Sequence, residues 1–131
     1  MKPELNLSLL FYPSMSIKNI IYSIDIVSDS LIIKKNDSIK YRGKLTDKQY
    51  TEVKKMMPTL TQKYDRSKNL VLGGWGCTLK VKNQVYYEDN FFSFVPQPKE
   101  MGWQPPPEEI KLLIDYIVSL SPIPIKLYGF S

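Results

Sequence analysis

The single cysteine of the chain, Cys77, is its only possible thiol nucleophile. Cysteine enzymes activate the thiol with a neighbouring histidine or with the N-terminus of a helix. The chain contains no histidine, and Cys77 leads into a segment whose alternation of apolar and polar residues predicts a strand. We therefore expect Cys77 to be an unreactive core residue, on the same side of its strand as Leu79 and Val81.

Two pairs of adjacent carboxylates are the next candidates for chemistry, Glu88 with Asp89 and Glu108 with Glu109. Neighbouring residues of a strand point to opposite faces of the sheet, so Glu88 and Asp89 cannot act together as an acid and a base. Glu108 and Glu109 precede an apolar helical stripe and suit the positive end of a helix dipole. A glycosidase-type pair drawn from distant segments stays open.

The residue types also argue against a metal or a cofactor. A chain with no histidine and one cysteine lacks the usual zinc ligands, and it has no Asp-rich loop of the calcium-binding type. The glycines at 73, 74 and 76 have neither the spacing of a phosphate-binding loop nor the Lys-Ser/Thr that follows one. We expect no metal and no cofactor, and these residue types favour a protein that is not an enzyme.

A basic stretch at 34–68 is the first candidate binding surface. The net charge of the chain is +5, and this stretch alone holds 11 basic and 4 acidic residues. It predicts a module that binds anions, with nucleic acid as the first partner to consider. The alternative is a solvated, lysine-rich face whose charges guard a sheet edge against aggregation. The candidate anion-binding residues are Lys34, Lys35, Lys40, Arg42, Lys44, Lys48 and Lys55.

The composition of this stretch weakens the case for nucleic acid. Only two of the 18 basic residues are arginine, the residue favoured for bidentate recognition of phosphate and bases. Nucleic-acid modules also interleave exposed aromatic rings with cations. Tyr41 is the only aromatic residue among the strand cations, and alternation places it, together with Ile39, on the buried side.

An aromatic and proline-rich segment is the second candidate surface. Exposed aromatic side chains beside rigid prolines make good contact points for a protein partner, because little entropy is lost on binding. The alternative is that these rings lie back over the sheet under a packed proline-rich lid. The candidate protein-binding residues are Phe91, Phe92, Phe94 and Trp103.

Strands and two helices must position these residues. The pattern of apolar and polar residues predicts strands at 5–12, 19–28, 31–35 and 39–45, and another strand is expected to begin at 70–72. Thr46 and Gln49 have the spacing of a capping box, so a helix should begin there and end near Met57, before Pro58. Residues 59–64 are expected to form a second turn or an irregular segment, and 65–69 a polar loop.

Later segments complete the pattern. A hairpin around residues 82–84 is expected to have a three-residue loop, because that register pairs Leu79 with Tyr87 and separates apolar from polar side chains. A further strand is expected at 91–95. Pro107 suits the first position of a second helix, which Ser121 and Pro122 should end. Residues 123–127 alternate as a last strand.

Together these elements predict one α+β domain over residues 1–131, with a mostly antiparallel twisted sheet of about 7–8 strands and two helices packed on it. No stretch is long and apolar enough to span a membrane. The single cysteine fits a cytoplasmic protein, and an exported domain that loses its leader stays compatible.

The function that these observations favour is binding. The leading hypothesis is a non-catalytic protein–protein interaction domain, of the size and plainness of small inhibitors such as immunity proteins, which is an analogy only. The alternative is an anion- or nucleic-acid-binding module that uses the basic stretch 34–68.

Overall fold

The computed structural model describes residues 5–13, 21–57, 64–66, 75–98, 100, 103–123 and 125. They form a seven-stranded, mostly antiparallel sheet and two helices, which confirms the expected α+β class. The strands are β1 (Asn6–Pro13), β2 (Tyr22–Val27), β3 (Ser30–Lys35), β4 (Ser38–Lys44), β5 (Tyr64–Arg66), β6 (Trp75–Val81) and β7 (Gln84–Phe92). The helices are α1 (Asp47–Met56) and α2 (Glu108–Ser119).

The sheet is built around β1. On one side, β1 to β4 form an antiparallel meander in which each strand pairs with the one before it. On the other side, β1 pairs with β6 and β6 with β7, both antiparallel, and β5 is added parallel to β7. The order is therefore β4-β3-β2-β1-β6-β7-β5, which leaves β4 and β5 at the edges of the described sheet.

The hydrophobic core lies on one side of the sheet, which we call the helix-facing side; the opposite surface is the second side. Leu9 pairs with Ile24 on β2 and with Leu79 on β6, and none of the three is more than 1% exposed. Both helices bury their apolar stripes in the same core. Their buried residues are Tyr50, Val53, Ile110, Leu113, Ile114 and Ile117.

A two-residue turn joins β3 to β4. Asn36 and Asp37 adopt the left-handed backbone, with φ angles of 53° and 65°. Asn and Asp tolerate that conformation better than most residues, which suits them to a tight turn. The Asn36 side chain also accepts a hydrogen bond from the backbone N–H of Ile21 at 2.9 Å.

The prediction of a three-residue loop between β6 and β7 is wrong. The turn holds two residues, Lys82 and Asn83, both with positive φ angles. A β-bulge farther along the hairpin takes up the extra residue. Beyond the bulge Leu79 pairs with Tyr87, as the separation of apolar and polar faces predicted.

Strand β5 corrects another expectation, since its residues were expected to be irregular or part of a polar loop. Tyr64 pairs with Tyr87 in parallel register and packs against the core. A strand of three residues is too short for alternation to reveal it. The segment expected at 91–95 ends as a strand at Phe92, within β7.

Two expected strand segments fall wholly or partly outside the described residues. The segment 70–72 lies outside them altogether, and so do residues 124, 126 and 127 of the expected last strand. Ile123 and Ile125 are described; neither belongs to a strand, and both pack against the core.

The expected capping box begins α1. The Thr46 hydroxyl accepts from the backbone N–H of Gln49 at 3.1 Å, and the Gln49 side chain accepts from the backbone N–H of Thr46 at 2.9 Å. These bonds satisfy two backbone donors that the helix itself cannot. The helix ends at Met56, as expected.

Thr46→Ala should lower the free energy of unfolding by about 1 kcal/mol, because the Gln49 backbone N–H loses its acceptor. Urea denaturation followed by circular dichroism measures this. Thr51→Ala, at an exposed position of the same helix, is the control and should cause no loss. Equal losses in both variants would contradict a specific capping role.

Helix α2 begins one residue later than expected. Pro107 is its N-cap rather than its first helical residue, and Glu108 and Glu109 occupy the first turn. Carboxylates there interact favourably with the helix dipole. Within the described residues, no helix has the length and apolar character needed to cross a membrane.

Candidate functional site

Cys77 lies in the core, as expected. Its side chain is fully buried on the helix-facing side of β6, in line with Leu79 and Val81. Burial raises the pKa of the thiol well above its ordinary value, and the nearby Asp89 carboxylate raises it further. A thiol that stays protonated is a poor nucleophile, so Cys77 contributes packing rather than chemistry.

Asp89 is a buried carboxylate in the same part of the core. It lies opposite Cys77 in the β6–β7 ladder and is 2% exposed. The Tyr87 hydroxyl donates a hydrogen bond to its Oδ2 at 2.6 Å. Glu88 pairs with Thr78 and points to the second side, so the two adjacent carboxylates are separated by the sheet, as alternation predicted.

Glu109 connects the start of α2 to the sheet edge. The Tyr64 hydroxyl donates to its Oε1 at 2.6 Å. This hydrogen bond, together with a backbone hydrogen bond at Glu109 itself, lowers the pKa of the carboxyl. Across the part of the chain that the structure describes, cysteine and carboxylate side chains form no group of three or more that could hold a metal ion.

The Tyr64–Glu109 hydrogen bond should make stability depend on pH. Because the pKa of Glu109 is lowered in the fold, the bond stabilises the protein above the ordinary value of 4.5 and is lost as the pH falls through the lower, folded pKa. Tyr64→Phe should therefore be less stable than wild type near neutral pH, and the two should converge in acid. Urea denaturation at a series of pH values measures the difference.

A hydroxyl deletion elsewhere in the sheet provides the control. Tyr41→Phe removes a hydroxyl from a half-buried ring of β4 and should give a stability curve parallel to that of wild type. A difference between Tyr64→Phe and wild type that stays constant down to low pH would contradict the role of Glu109.

The aromatic segment packs largely against the core. Phe92 is 3% exposed, and its ring centroid lies 5.5 Å from that of Phe11 and 5.1 Å from that of Phe94. Phe94 and Trp103 are half-buried against the same core, and the buried Trp103 Nε1 finds no hydrogen-bond acceptor in the described structure. The Phe91 side chain lies outside the described part. A role of these four residues in partner binding stays a prediction.

The basic residues of β3 and β4 lie on both sides of the sheet. Lys34 shares the second side with Arg42 and Lys44, because each takes the alternate position to a core residue. Lys35 lies on the helix-facing side, where its Nζ is 5.7 Å from the centroid of the Tyr22 ring. The two consecutive lysines of β3 therefore do not act on one ligand together.

The basic residues of α1 form a separate group. Lys48 and Lys55 are both exposed, and Lys55 lies 3.6 Å from Glu52. The helix packs on the helix-facing side, so the seven predicted residues do not make one continuous anion site. One strand presents three of them together, and we call this group the β4 basic surface: Lys40, Arg42 and Lys44.

A β-bulge at Lys40 changes what this strand exposes. Alternation predicted Ile39 on the same buried side as Tyr41. Instead Lys34 pairs with Ile39 while Ile33 pairs with Tyr41, which leaves Lys40 as an extra residue. Ile39 is consequently on the second side and is 46% exposed, so the expectation of a buried Ile39 is wrong.

Strand β4 is also much more exposed than β2. None of its residues is fully buried, whereas every second residue of β2 is. The ring of Tyr41 lies over Gly43 on the helix-facing side, where a Cβ atom would collide with it. Strand β4 therefore has a half-buried aromatic ring on the helix-facing side. On the second side it has cations, with the apolar Ile39 near one end.

Comparisons of the chain with protein-family models, with curated proteins and with solved structures each found no match.

Proposed function

We propose that the chain is a non-catalytic protein-binding domain whose β4 basic surface contacts an acidic protein. The observation that carries the proposal is the exposed apolar side chain of Ile39 beside three exposed cations on one strand. Protein interfaces combine apolar contact with charges that steer the partner and fix its orientation. A small inhibitor of the immunity type is one form that such a domain can take, by analogy of size.

The ionisable groups favour binding over catalysis. The Cys77 thiol has a raised pKa and is fully buried. Asp89 is buried beneath the sheet and is engaged by Tyr87, while Glu109 is engaged by Tyr64. A catalytic acid or base needs to reach its substrate, and these groups are occupied by structural contacts.

Nucleic acid is the weaker candidate partner. Single-stranded nucleic acids bind to exposed aromatic rings that stack on bases, between cations that contact phosphates. The only aromatic ring of β4 is that of Tyr41, which lies over Gly43 on the helix-facing side. Strand β4 therefore has no exposed aromatic ring beside its cations on which a base could stack. Recovery of nucleic acid is one of the results that the experiment below distinguishes.

The test is capture from an extract of the native host. The immobilised 131-residue chain is incubated with the extract, with and without nuclease, and bound proteins are identified by mass spectrometry. We expect an acidic protein in stoichiometric amount that survives nuclease and is released by salt. Lys82→Glu changes one exposed cation in the β6–β7 turn and should capture the same protein.

Two results would contradict the proposal. Recovery of nucleic acid without protein would indicate that the chain binds nucleic acid and not an acidic protein. Recovery of neither from the native host would remove the support for a stable macromolecular partner.

A further inference from the structure

Strand β4 can offer its main chain to a partner as well as its side chains. The backbone N–H of Leu45 donates to the carbonyl of Asp29 at 2.7 Å, which continues the β3–β4 ladder beyond Gly43. In an antiparallel ladder, successive residues turn their N–H and C=O groups alternately towards and away from the neighbouring strand. Gly43 therefore faces β3, while the backbone groups of Arg42 and Lys44 face outwards.

These outward groups lie at an edge of the described sheet. No strand among the described residues pairs with the outer side of β4. Arg42 and Lys44 are both exposed residues. An edge of this kind can accept an extended segment through main-chain hydrogen bonds.

The charges of β4 select which segment can pair with it. In a pair of two β4 strands from two copies, the cations of one would lie against the cations of the other, and like charges opposite each other destabilise a sheet. A strand with acidic residues at alternate positions would instead place its carboxylates beside Arg42 and Lys44 on the second side. Ile39 provides an exposed apolar contact at one end of the same side.

We infer that β4 binds an extended acidic segment of a protein by β-strand addition. The inference depends on the proposed function, since it gives the mode by which the protein partner would bind. Lysines and a bulge also protect edges from aggregation, and in β4 they would exclude a second copy while admitting an acidic strand.

The test uses two blocked peptides of the same length as β4, one alternating glutamate with valine and one alternating lysine with valine. Each is titrated into the isotope-labelled 131-residue chain and followed by NMR. We expect the glutamate peptide to slow amide exchange at Arg42 and Lys44 by about tenfold at saturation. The lysine peptide should leave those amides unchanged.

Two variants at one position separate the main chain from the charge. Arg42→Pro removes an outward N–H that is not part of the β3 ladder, and should abolish the protection of Lys44. Arg42→Gln keeps the backbone N–H, so it should lower the affinity for the glutamate peptide without abolishing the protection of Lys44. If Arg42→Pro does not fold, amide exchange at Arg42 and Lys44 of the wild-type protein, measured with and without the glutamate peptide, still tests strand addition.

Three results would overturn strand addition. Peptide-induced shifts of lysine and arginine side chains without amide protection would indicate charge attraction alone. Equal responses to the two peptides would remove the acidic preference. Protection that appears without peptide and grows with protein concentration would assign the edge to a second copy. If the glutamate peptide does not protect these amides while a captured protein still binds the chain, binding by strand addition is wrong and the proposed function stands.

Discussion

Replacing Lys40, Arg42 and Lys44 together by glutamate is expected to weaken binding of the captured partner by about 100-fold or more. Each reversal replaces an attraction to the acidic partner with a repulsion, and like charges across an interface cost several kcal/mol. All three residues are exposed at an edge of the described sheet, so the free energy of unfolding should change by only about 1 kcal/mol. Isothermal titration calorimetry of wild type and variant measures the loss.

A charge-matched variant on α1 is the control. Lys48, Lys54 and Lys55 are all exposed on the helix, and their replacement by glutamate gives the same change in net charge. This variant should lose much less affinity than the β4 variant. Equal losses would show that the net charge of the protein, and not the β4 basic surface, determines binding.

Phe92→Ala is expected to lower the free energy of unfolding by about 3 kcal/mol or more. The ring is 3% exposed and contacts the rings of Phe11 and Phe94, so its removal leaves a cavity that the sheet cannot easily close. Chemical denaturation measures the change. Val95→Ala is the control from the same segment, because its side chain is 42% exposed and should affect stability by at most about 0.5 kcal/mol.

The same variant tests the role of the aromatic segment in binding. If Phe92 is a core residue, the fraction of Phe92→Ala that remains folded should bind the partner as wild type does. A variant that keeps its stability but loses the partner would contradict the core assignment and would favour the aromatic segment as the docking surface.

The fold class was predictable because local patterns determine much of it. Thr46 and Gln49 begin α1 through side-chain bonds that their spacing already implies. The alternation of apolar and polar residues at 19–28 predicted the strand that is β2, in which Tyr22, Ile24 and Ile26 are the buried residues. In both cases the information lies within a few neighbouring residues.

The bulges and the short parallel strand were not predictable in the same way. A β-bulge depends on how two strands fit together, so nothing in the local sequence showed that Ile39 would change sides. Strand β5 is held by its pairing with β7 and by the packing of Tyr64, which are contacts between distant segments. These features belong to tertiary structure.

The candidate site was predictable in composition but not in arrangement. The basic stretch identified all three residues of the β4 basic surface. The sequence could not show that Lys35 would turn towards Tyr22, or that α1 would carry Lys48 and Lys55 on another layer. Strand order and helix packing decide which cations lie together.

The most direct test of the central claim is hydrogen–deuterium exchange of the protein with and without its purified partner. A protein that binds through the β4 basic surface should show slowed exchange in peptides that cover Ser38–Lys44 and no change in α2. Protection confined to residues 91–103, with β4 unchanged, would contradict the proposal and would place the partner on the aromatic segment.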